Sequence, residues 1–211
     1  MDLPGILSRF SARGNQVALT FDACGGPGND DLDTELLNYL TAQRIPATLF
    51  LNRRWIDADP ARAAKLAAEP LFELANHGTR HCPLSVDGRS AYRIAGTAST
   101  QEIVDEVWAN QERLTGLTGQ PPRFFRAGTA HYDDVAVAIT RDLGVRPVGF
   151  TVNGDAGATF TPAQVCTAMV GARPGAITLA HMHRPRSGTA QGMAMALPLL
   201  RSRGVEFVKL P

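Results

Sequence analysis

The chain has 211 residues, of which 44% are hydrophobic and 19% are charged, and its formal net charge is +1. This near-neutral balance gives no reason to expect nucleic acid or an anionic membrane surface as a partner. No run reaches the roughly 18 uninterrupted apolar residues that a membrane-spanning helix needs. We therefore expect one globular domain over residues 1–211 with an ordinary hydrophobic core.

The first 14 residues contain Arg9 and Arg13 but no apolar segment as long as the core of a signal peptide. Two compartments stay open: the cytoplasm, or the periplasm or extracellular space if an export segment has been removed. Three cysteines, an odd number, argue against a disulfide-stapled scaffold. Cys24 and Cys82 could pair if both flank one site, which would fit an oxidising compartment. We expect two unpaired thiols near a pocket instead.

Short apolar runs alternate with amphipathic stretches along the whole chain. The runs predict seven strands, at 16–21, 47–51, 72–76, 123–126, 147–151, 176–180 and 205–209. Helices are predicted at 33–42, from Asp59-Pro60, at 100–114 with a stop at Gly116, at 133–143, from Thr161-Pro162 and from about residue 189. This alternation indicates parallel strands with right-handed crossovers, hence an α/β fold. Seven units fit either an incomplete barrel or an open doubly wound sheet.

Polar residues that can carry chemistry cluster just beyond the carboxyl ends of these strands. They are Asp22, His77, His81, Arg126, Asn153, Asp155, His181 and His183. The carboxyl ends of parallel strands share one rim, and in such folds that rim holds the active site. We therefore expect these residues, which are distant in sequence, to meet in one cleft.

The run Asn76-His77-Gly78-Thr79-Arg80-His81 is the most specific signal. Two histidines four positions apart project to the same side of a strand or helix, so their ring nitrogens can converge on one divalent metal ion. Asp22, at the end of an apolar run, can face that ion. The glycines at 25, 26 and 28 form neither a G-x-G-x-x-G pattern nor a Gly-Lys phosphate loop.

Residues 82–99 form a stretch too long for a tight connection, which predicts a functional loop that shapes a substrate groove. The aromatic side chains that could stack on a substrate are Trp55, Tyr92 and Trp108. Trp108 lies on the apolar side of a predicted helix and is expected in the core. Tyr92 lies in the long loop and is the better candidate for a substrate platform.

The chain resembles the polysaccharide deacetylases, which form carbohydrate esterase family 4 and carry the NodB-homology domain. The similarity runs from Val17 to Leu210 in five blocks, in the expected order: VALTFD at 17–22, NHGTRH at 76–81, FRAG at 125–128, FTVNGD at 150–155 and ITLAH at 177–181. The first, second and fifth blocks together are specific for the family. The resemblance implies a distorted (β/α)7 barrel, which agrees with the seven predicted units.

The resemblance also implies a role for each matching residue. Asp22 would be the catalytic base, with Arg126 and Asp155 holding its carboxylate in place. His181 would protonate the departing amine. His77 and His81 would hold a divalent metal ion, zinc by preference with cobalt or nickel as alternatives, and no organic cofactor is expected.

Ala23 departs from the family pattern, which has a metal-binding aspartate at this position. A methyl group cannot ligate, so three outcomes are open: Asp22 becomes the third ligand, water fills the position, or no metal binds. The nearby groups that could substitute are Asp30, Asp31 and Cys24. Two histidines plus one carboxylate form an established catalytic zinc set, so the sequence favours a metal site made of His77, His81 and Asp22.

The predicted activity is the metal-dependent removal of N-acetyl groups from a polysaccharide, a chitooligosaccharide or a peptidoglycan-type glycan. The partner is then an acetylated glycan or oligosaccharide. Two alternatives stay open. A metal-free relative would open a cyclic amide such as allantoin and would be insensitive to chelators. A catalytically silent homologue would bind glycans without turnover.

Overall fold

The structure is a computed structural model that describes residues 3–211. The strands in this range are β1 (Gln16–Ala23), β2 (Ala47–Leu51), β3 (Phe72–Asn76), β4 (Phe124–Phe125), β5 (Arg146–Pro147), β6 (Val152–Asn153), β7 (Ile177–His181) and β8 (Glu206–Val208). The helices are α1 (Thr34–Ala42), α2 (Arg53–Ala58), α3 (Pro60–Ala67), α4 (Thr100–Thr118), α5 (Asp134–Asp142), α6 (Pro162–Met169) and α7 (Thr189–Ser202). Pairings between these strands are parallel, so the predicted α/β fold is confirmed.

The strands form one curled sheet in the order β5-β4-β3-β2-β1-β7-β6, with β8 paired to the start of β1. One extended segment, 146–153, pairs with β4 at its beginning and with β7 at its end, which closes the curl. The predicted distorted (β/α)7 barrel is confirmed. The single strand predicted at 147–151 is wrong in detail. It is replaced by β5 and β6, because Val148, Gly149 and Thr151 donate their backbone N–H groups to three different segments.

The side chains of β1 alternate between two apolar layers. Leu19, Phe21 and Ala23 pack in the larger core cluster, which includes side chains of the surrounding helices. Ala18 belongs to a smaller cluster with side chains of β2, β3, β4 and β7. Because successive side chains point to opposite faces of a strand, Asp22 shares the side of Ala18 and reaches the rim from inside the barrel.

The helix α4 differs from its prediction in two respects. It continues through Gly116 and ends at Gly119, whose φ of +76° is the left-handed conformation that glycine adopts readily. The predicted stop at Gly116 is therefore wrong. Trp108 is 42% exposed and its Nε1 donates to Glu112 on the same helix, so the prediction that it lies in the core is also wrong.

Two predicted helix starts are confirmed, at Asp59 for α3 and at Thr161 for α6. The short helix α2 was not predicted; it begins after Asn52, whose side chain accepts the N–H of Arg54. In the range 3–211 no helix is both long enough and apolar enough to cross a membrane. That residues 1–211 form one domain stays a prediction, since Met1 and Asp2 lie outside the described range.

Candidate active site

Five of the eight predicted rim residues line one cavity at the carboxyl ends of the strands. Of the other three, Arg126 and Asp155 bond to residues of the lining, and His183 lines an adjoining groove. Asp22 is the next-to-last residue of β1, and its register partner on β7 is His181. His77 directly follows β3, and Arg126 directly follows β4. The cavity has a volume of ≈ 330 Å³, and the side chains that line it include those of Asp22, Cys24, His77, His81, Asn153 and His181.

Asp22 is held by Arg126, whose side chain is entirely buried. Nη1 of Arg126 donates to Oδ1 of Asp22 at 2.7 Å and to Oγ1 of Thr20 at 2.8 Å. Nη2 donates to the carbonyl of Gly149 at 3.1 Å, and the guanidinium lies 4.1 Å from the ring centroid of Phe50. A buried guanidinium needs a charge partner. Oδ1 of Asp22 is therefore committed to Arg126, which leaves Oδ2 for chemistry in the cavity.

A hydrogen bond with a backbone carbonyl orients the ring of His77. Its Nδ1 lies 2.8 Å from the carbonyl oxygen of Arg126, which assigns the proton to Nδ1 and leaves the lone pair on Nε2. Nε2 lies 3.7 Å from Oδ2 of Asp22 and 3.8 Å from Sγ of Cys24. Burial lowers the pKa of His77, but the charge of Asp22 and the contact with Cys24 outweigh it, and the net pKa is raised.

His81 is carried by a loop that Glu106 of α4 organises. The buried carboxylate of Glu106 accepts the backbone N–H groups of Thr79 at 3.0 Å, Arg80 at 2.9 Å and His81 at 2.9 Å. Gly78 has a φ of +76°, and a side chain there would overlap this carboxylate, so the position requires glycine. The second histidine of the motif is thus fixed through its backbone.

Three donor atoms converge in the cavity. Sγ of Cys24 and one ring nitrogen each of His77 and His81 lie within 4.8 Å of one another, and no other group of three such donors occurs in the range 3–211. The predicted set has Asp22 as its third member, and that ligand role stays a prediction. Of the substitutes that the sequence offered, only Cys24 belongs to the group.

Cys24 reaches the histidines because the chain turns directly after β1. Gly25 has a φ of +67°, and a side chain on it would overlap the backbone of Trp55. Burial raises the pKa of the Cys24 thiol, but hydrogen bonds with the surrounding histidines, His181 and His183 foremost, outweigh burial. The net pKa of Cys24 lies well below its ordinary value.

The cysteines are all unpaired. Cys24, Cys82 and Cys166 are free thiols, which confirms the expectation for positions 24 and 82. Burial, followed by the charge of Glu106, raises the pKa of Cys82 to about 12. Cys82 is therefore a protonated, unreactive side chain, unlike Cys24.

His181, which is partly exposed, pairs with the buried Asp155. Its Nδ1 lies 2.8 Å from Oδ1 of Asp155, while Oδ2 accepts the backbone N–H of His181 at 2.7 Å and the hydroxyl of Thr189 at 2.9 Å. Burial lowers the pKa of His181, but its hydrogen bonds with Asp155 and Cys24 raise it well above its ordinary value. Burial raises the pKa of Asp155, and its hydrogen bonds with His181 bring the net value below normal. The structure places Asp155 against His181 and not, as the resemblance implied, against Asp22.

Tyr92 stands at the mouth of the cavity. Its side chain is 79% exposed and meets the ring of His131 edge to face, with 5.4 Å between the ring centroids. It lines both the cavity and an adjoining groove of ≈ 520 Å³. Trp55, by contrast, is entirely buried. Of the three aromatic candidates, Tyr92 is the one that lines the cavity.

The model of the polysaccharide deacetylase family matches residues 11–148. The chain belongs to this family. The prediction of a hydrolase of the polysaccharide deacetylase type is thereby confirmed.

The matches to similar proteins extend over nearly the whole length of this chain. A chitooligosaccharide deacetylase of Bradyrhizobium sp. is 28% identical over 209 residues, which cover 92% of this chain and 89% of that protein. The peptidoglycan-N-acetylglucosamine deacetylase PgdA of Listeria monocytogenes is 26% identical over 197 residues, covering 92% of this chain but 38% of PgdA. A family 4 (CE4) pseudoenzyme from Bacillus anthracis has the same fold, with a TM-score of 0.80 at 24% identity over 99% of this chain and 70% of that one.

Glu106 is not among the functional residues predicted from the sequence. A signal for it exists, because Glu106 lies on the buried face of α4 beside Ile103 and Val107, where a carboxylate needs a polar partner. Its partners are backbone N–H groups about 25 residues earlier, as for His81. Backbone groups leave no mark in side-chain patterns, so the sequence does not reveal the pairing.

Proposed function

We propose that this member of the family hydrolyses the N-acetyl groups of a chitooligosaccharide or a peptidoglycan-type glycan, and that it requires a divalent metal ion to do so. The observation that carries the proposal is the placement of Asp22 and His181. They are register partners on neighbouring strands, and both line the cavity that holds His77 and His81. One cavity thus contains a carboxylate, an imidazole with a raised pKa and a group of metal-donor atoms.

The donor set fits a divalent metal ion. His77 has its Nδ1 engaged by a backbone carbonyl, so its Nε2 is free to ligate, and His81 and Cys24 offer donors within 4.8 Å. When bound by these residues, the ion supplies Lewis-acid chemistry, since it polarises the amide carbonyl and lowers the pKa of a water molecule toward neutrality.

Asp22 acts as the base in this proposal. Its Oδ2 removes a proton from the attacking water, because Oδ1 is occupied by the hydrogen bond from Arg126. Arg126 is itself fixed by Thr20 and by a backbone carbonyl, so the carboxylate cannot rotate without breaking a buried ion pair. Arg126 is therefore a positioning residue for the base.

His181 acts as the acid. Its Nδ1 is bonded to Asp155, and this bond favours the imidazolium, so Nε2 carries a proton that it gives to the amine nitrogen as the carbon–nitrogen bond breaks. Thr189 and a backbone N–H hold Asp155 in place. The products are acetate and a free amine on the sugar.

The proposed substrate is a glycan because both named relatives act on glycans and the site opens into a groove. The groove and the cavity share Tyr92, whose exposed ring offers an apolar face for a sugar. The match to the chitooligosaccharide deacetylase covers most of both chains, which supports an oligosaccharide substrate.

The test is the release of acetate, with the matching gain of free amines, from chitooligosaccharides of increasing length and from N-acetylated peptidoglycan fragments. Protein treated with a chelator would be compared with the same protein reloaded with zinc. We expect release only from the zinc-loaded protein, loss of release in His181→Ala, and unchanged release in Asp142→Asn, which alters an exposed carboxylate at the end of α5.

Two results would contradict the proposal. Amide hydrolysis that persists undiminished in the chelator would contradict metal dependence and favour the metal-free amidase. Saturable glycan binding by zinc-loaded protein with no acetate from any substrate would contradict catalysis and favour the silent binding homologue.

A further inference from the structure

The metal-binding part of the proposed function leaves the third protein ligand undecided. Catalytic zinc sites take three protein ligands, and His77 and His81 supply two. Ala23 has no donor atom, and its methyl group is fully buried in the core cluster beside α1 and α7. We propose that Cys24, as a thiolate, is the third ligand, which gives this chain a site of one cysteine and two histidines.

The distance between the donors supports this assignment. On a tetrahedral zinc ion with bonds of about 2.3 Å to sulfur and about 2.1 Å to nitrogen, the sulfur and nitrogen lie about 3.6 Å apart. Sγ of Cys24 and Nε2 of His77 lie 3.8 Å apart. The pair is therefore already at ligand spacing, and the third donor, on His81, lies within 4.8 Å of both.

Asp22 is the weaker candidate for the same position. Its Oδ1 is held at 2.7 Å by a buried guanidinium, so the carboxylate cannot turn toward the donors without weakening that pair. It does not belong to the group of converging donor atoms, although its Oδ2 lies 3.7 Å from Nε2 of His77. With Cys24 as the ligand, Asp22 keeps the free oxygen that a base needs.

Contacts with His183 hold the backbone around Cys24 in place. His183 is buried, and its Nδ1 lies 3.2 Å from the carbonyl oxygen of Asp22 and 3.5 Å from the backbone nitrogen of Cys24. It therefore contacts the chain on both sides of Ala23. Gly25 then allows the turn that brings Sγ back over the histidines.

A thiolate ligand has a chemical consequence for the choice of metal. Sulfur is a soft donor that favours zinc, whereas magnesium and calcium prefer oxygen. Three protein ligands leave one position open for water or substrate. We therefore expect the site to bind zinc or cobalt and not magnesium.

The ligand is identified by the absorption spectrum of cobalt-substituted protein. Sulfur bound to cobalt(II) gives a thiolate-to-metal charge-transfer band in the near ultraviolet, which nitrogen and oxygen ligands do not give. We expect the band in the wild type and in Cys166→Ser, a matched control in which a half-buried thiol on α6 is changed. We expect it to disappear in Cys24→Ser, where the affinity for zinc also falls by about tenfold or more.

In a second variant, Cys24→Asp, we expect cobalt to bind without the charge-transfer band, because a carboxylate can ligate the metal but gives no such band. Wild-type cobalt protein that shows visible ligand-field bands but no charge-transfer band would overturn the proposal, as would wild-type protein that binds no cobalt. If Cys24→Ser does not fold, alkylation of wild-type Cys24 by iodoacetamide decides the point. We expect bound zinc to slow it at least tenfold, and equal rates with and without zinc would overturn the proposal.

These readouts do not depend on turnover. A charge-transfer band in protein that releases no acetate would leave the ligand assignment standing while the proposed deacetylation failed. Acetate release by zinc-loaded protein whose cobalt form lacks the band would leave the proposed deacetylation standing, while the assignment of Cys24 as a ligand failed.

Discussion

Nη1 of Arg126 lies 2.7 Å from Oδ1 of Asp22, and both side chains are buried at the rim of the barrel. Breaking a buried ion pair from one side leaves an uncompensated charge, which costs about 3–5 kcal/mol. We expect Arg126→Met and Asp22→Asn each to lower the free energy of unfolding by about this amount. The double variant should lose less than the sum of the two, as measured by urea denaturation.

Arg89→Met is the control for this prediction. Arg89 pairs with Asp87 at 3.0 Å, but both side chains are exposed, so the loss should be below about 1 kcal/mol. Strictly additive losses at Asp22 and Arg126 would mean that the two side chains do not stabilise each other.

Glu106→Gln should weaken metal binding without removing a ligand. The amide keeps the shape of the side chain but carries no negative charge, so it binds the backbone N–H groups of Thr79, Arg80 and His81 more weakly. Its NH2 group also cannot accept the N–H of Arg80 as Oε2 does. Groups that support metal ligands typically contribute tenfold to a hundredfold to affinity, and we expect a loss of about this size in zinc titrations.

Glu112→Gln is the matched control on the same helix, because this carboxylate is exposed and accepts a hydrogen bond from Nε1 of Trp108 on that helix. An unchanged zinc affinity in Glu106→Gln would contradict the role assigned to the buried carboxylate. A loss of the same size in Glu112→Gln would mean that any charge change on α4 has this effect.

Asp155→Asn should change the dependence of deacetylation on pH. The hydrogen bond with Asp155 is the largest influence that raises the pKa of His181, so the protonated acid persists to higher pH in the wild type. An amide cannot supply that charge, and the pKa of His181 falls. We therefore expect the alkaline limb of the kcat profile to move to lower pH, with KM little changed. An alkaline limb at the same pH as in the wild type would mean that a group other than His181 is the acid.

Tyr92→Ala should weaken substrate binding without changing the chemical step. An exposed aromatic ring at the mouth of the cavity can stack on a sugar, with a contribution of about 1 kcal/mol, which is about fivefold in KM. Tyr92→Phe keeps the ring and should keep the KM. Equal KM values for Tyr92→Ala and the wild type, across oligosaccharides of all lengths, would mean that Tyr92 does not contribute to substrate binding.

The alternation of strands and helices, the parallel sheet and the residues at its rim can all be predicted from the sequence. These features depend on local rules, since apolar runs form buried strands and the carboxyl ends of parallel strands share one edge. The helix starts at Asp59 and Thr161 follow from capping chemistry in the same way. The end of α4 does not follow from the sequence pattern. Gly116 lies inside the helix, and it is Gly119 that adopts the left-handed conformation with which the helix ends.

Which donor atoms meet in the cavity depends on the tertiary structure. That Sγ of Cys24 lies beside His77, that Glu106 holds the loop of His81, and that Asp155 pairs with His181 all depend on contacts between segments at least 25 residues apart. A turn at Gly25 or a carboxylate against backbone N–H groups is set by packing in three dimensions, which a pattern of side chains along the chain does not encode.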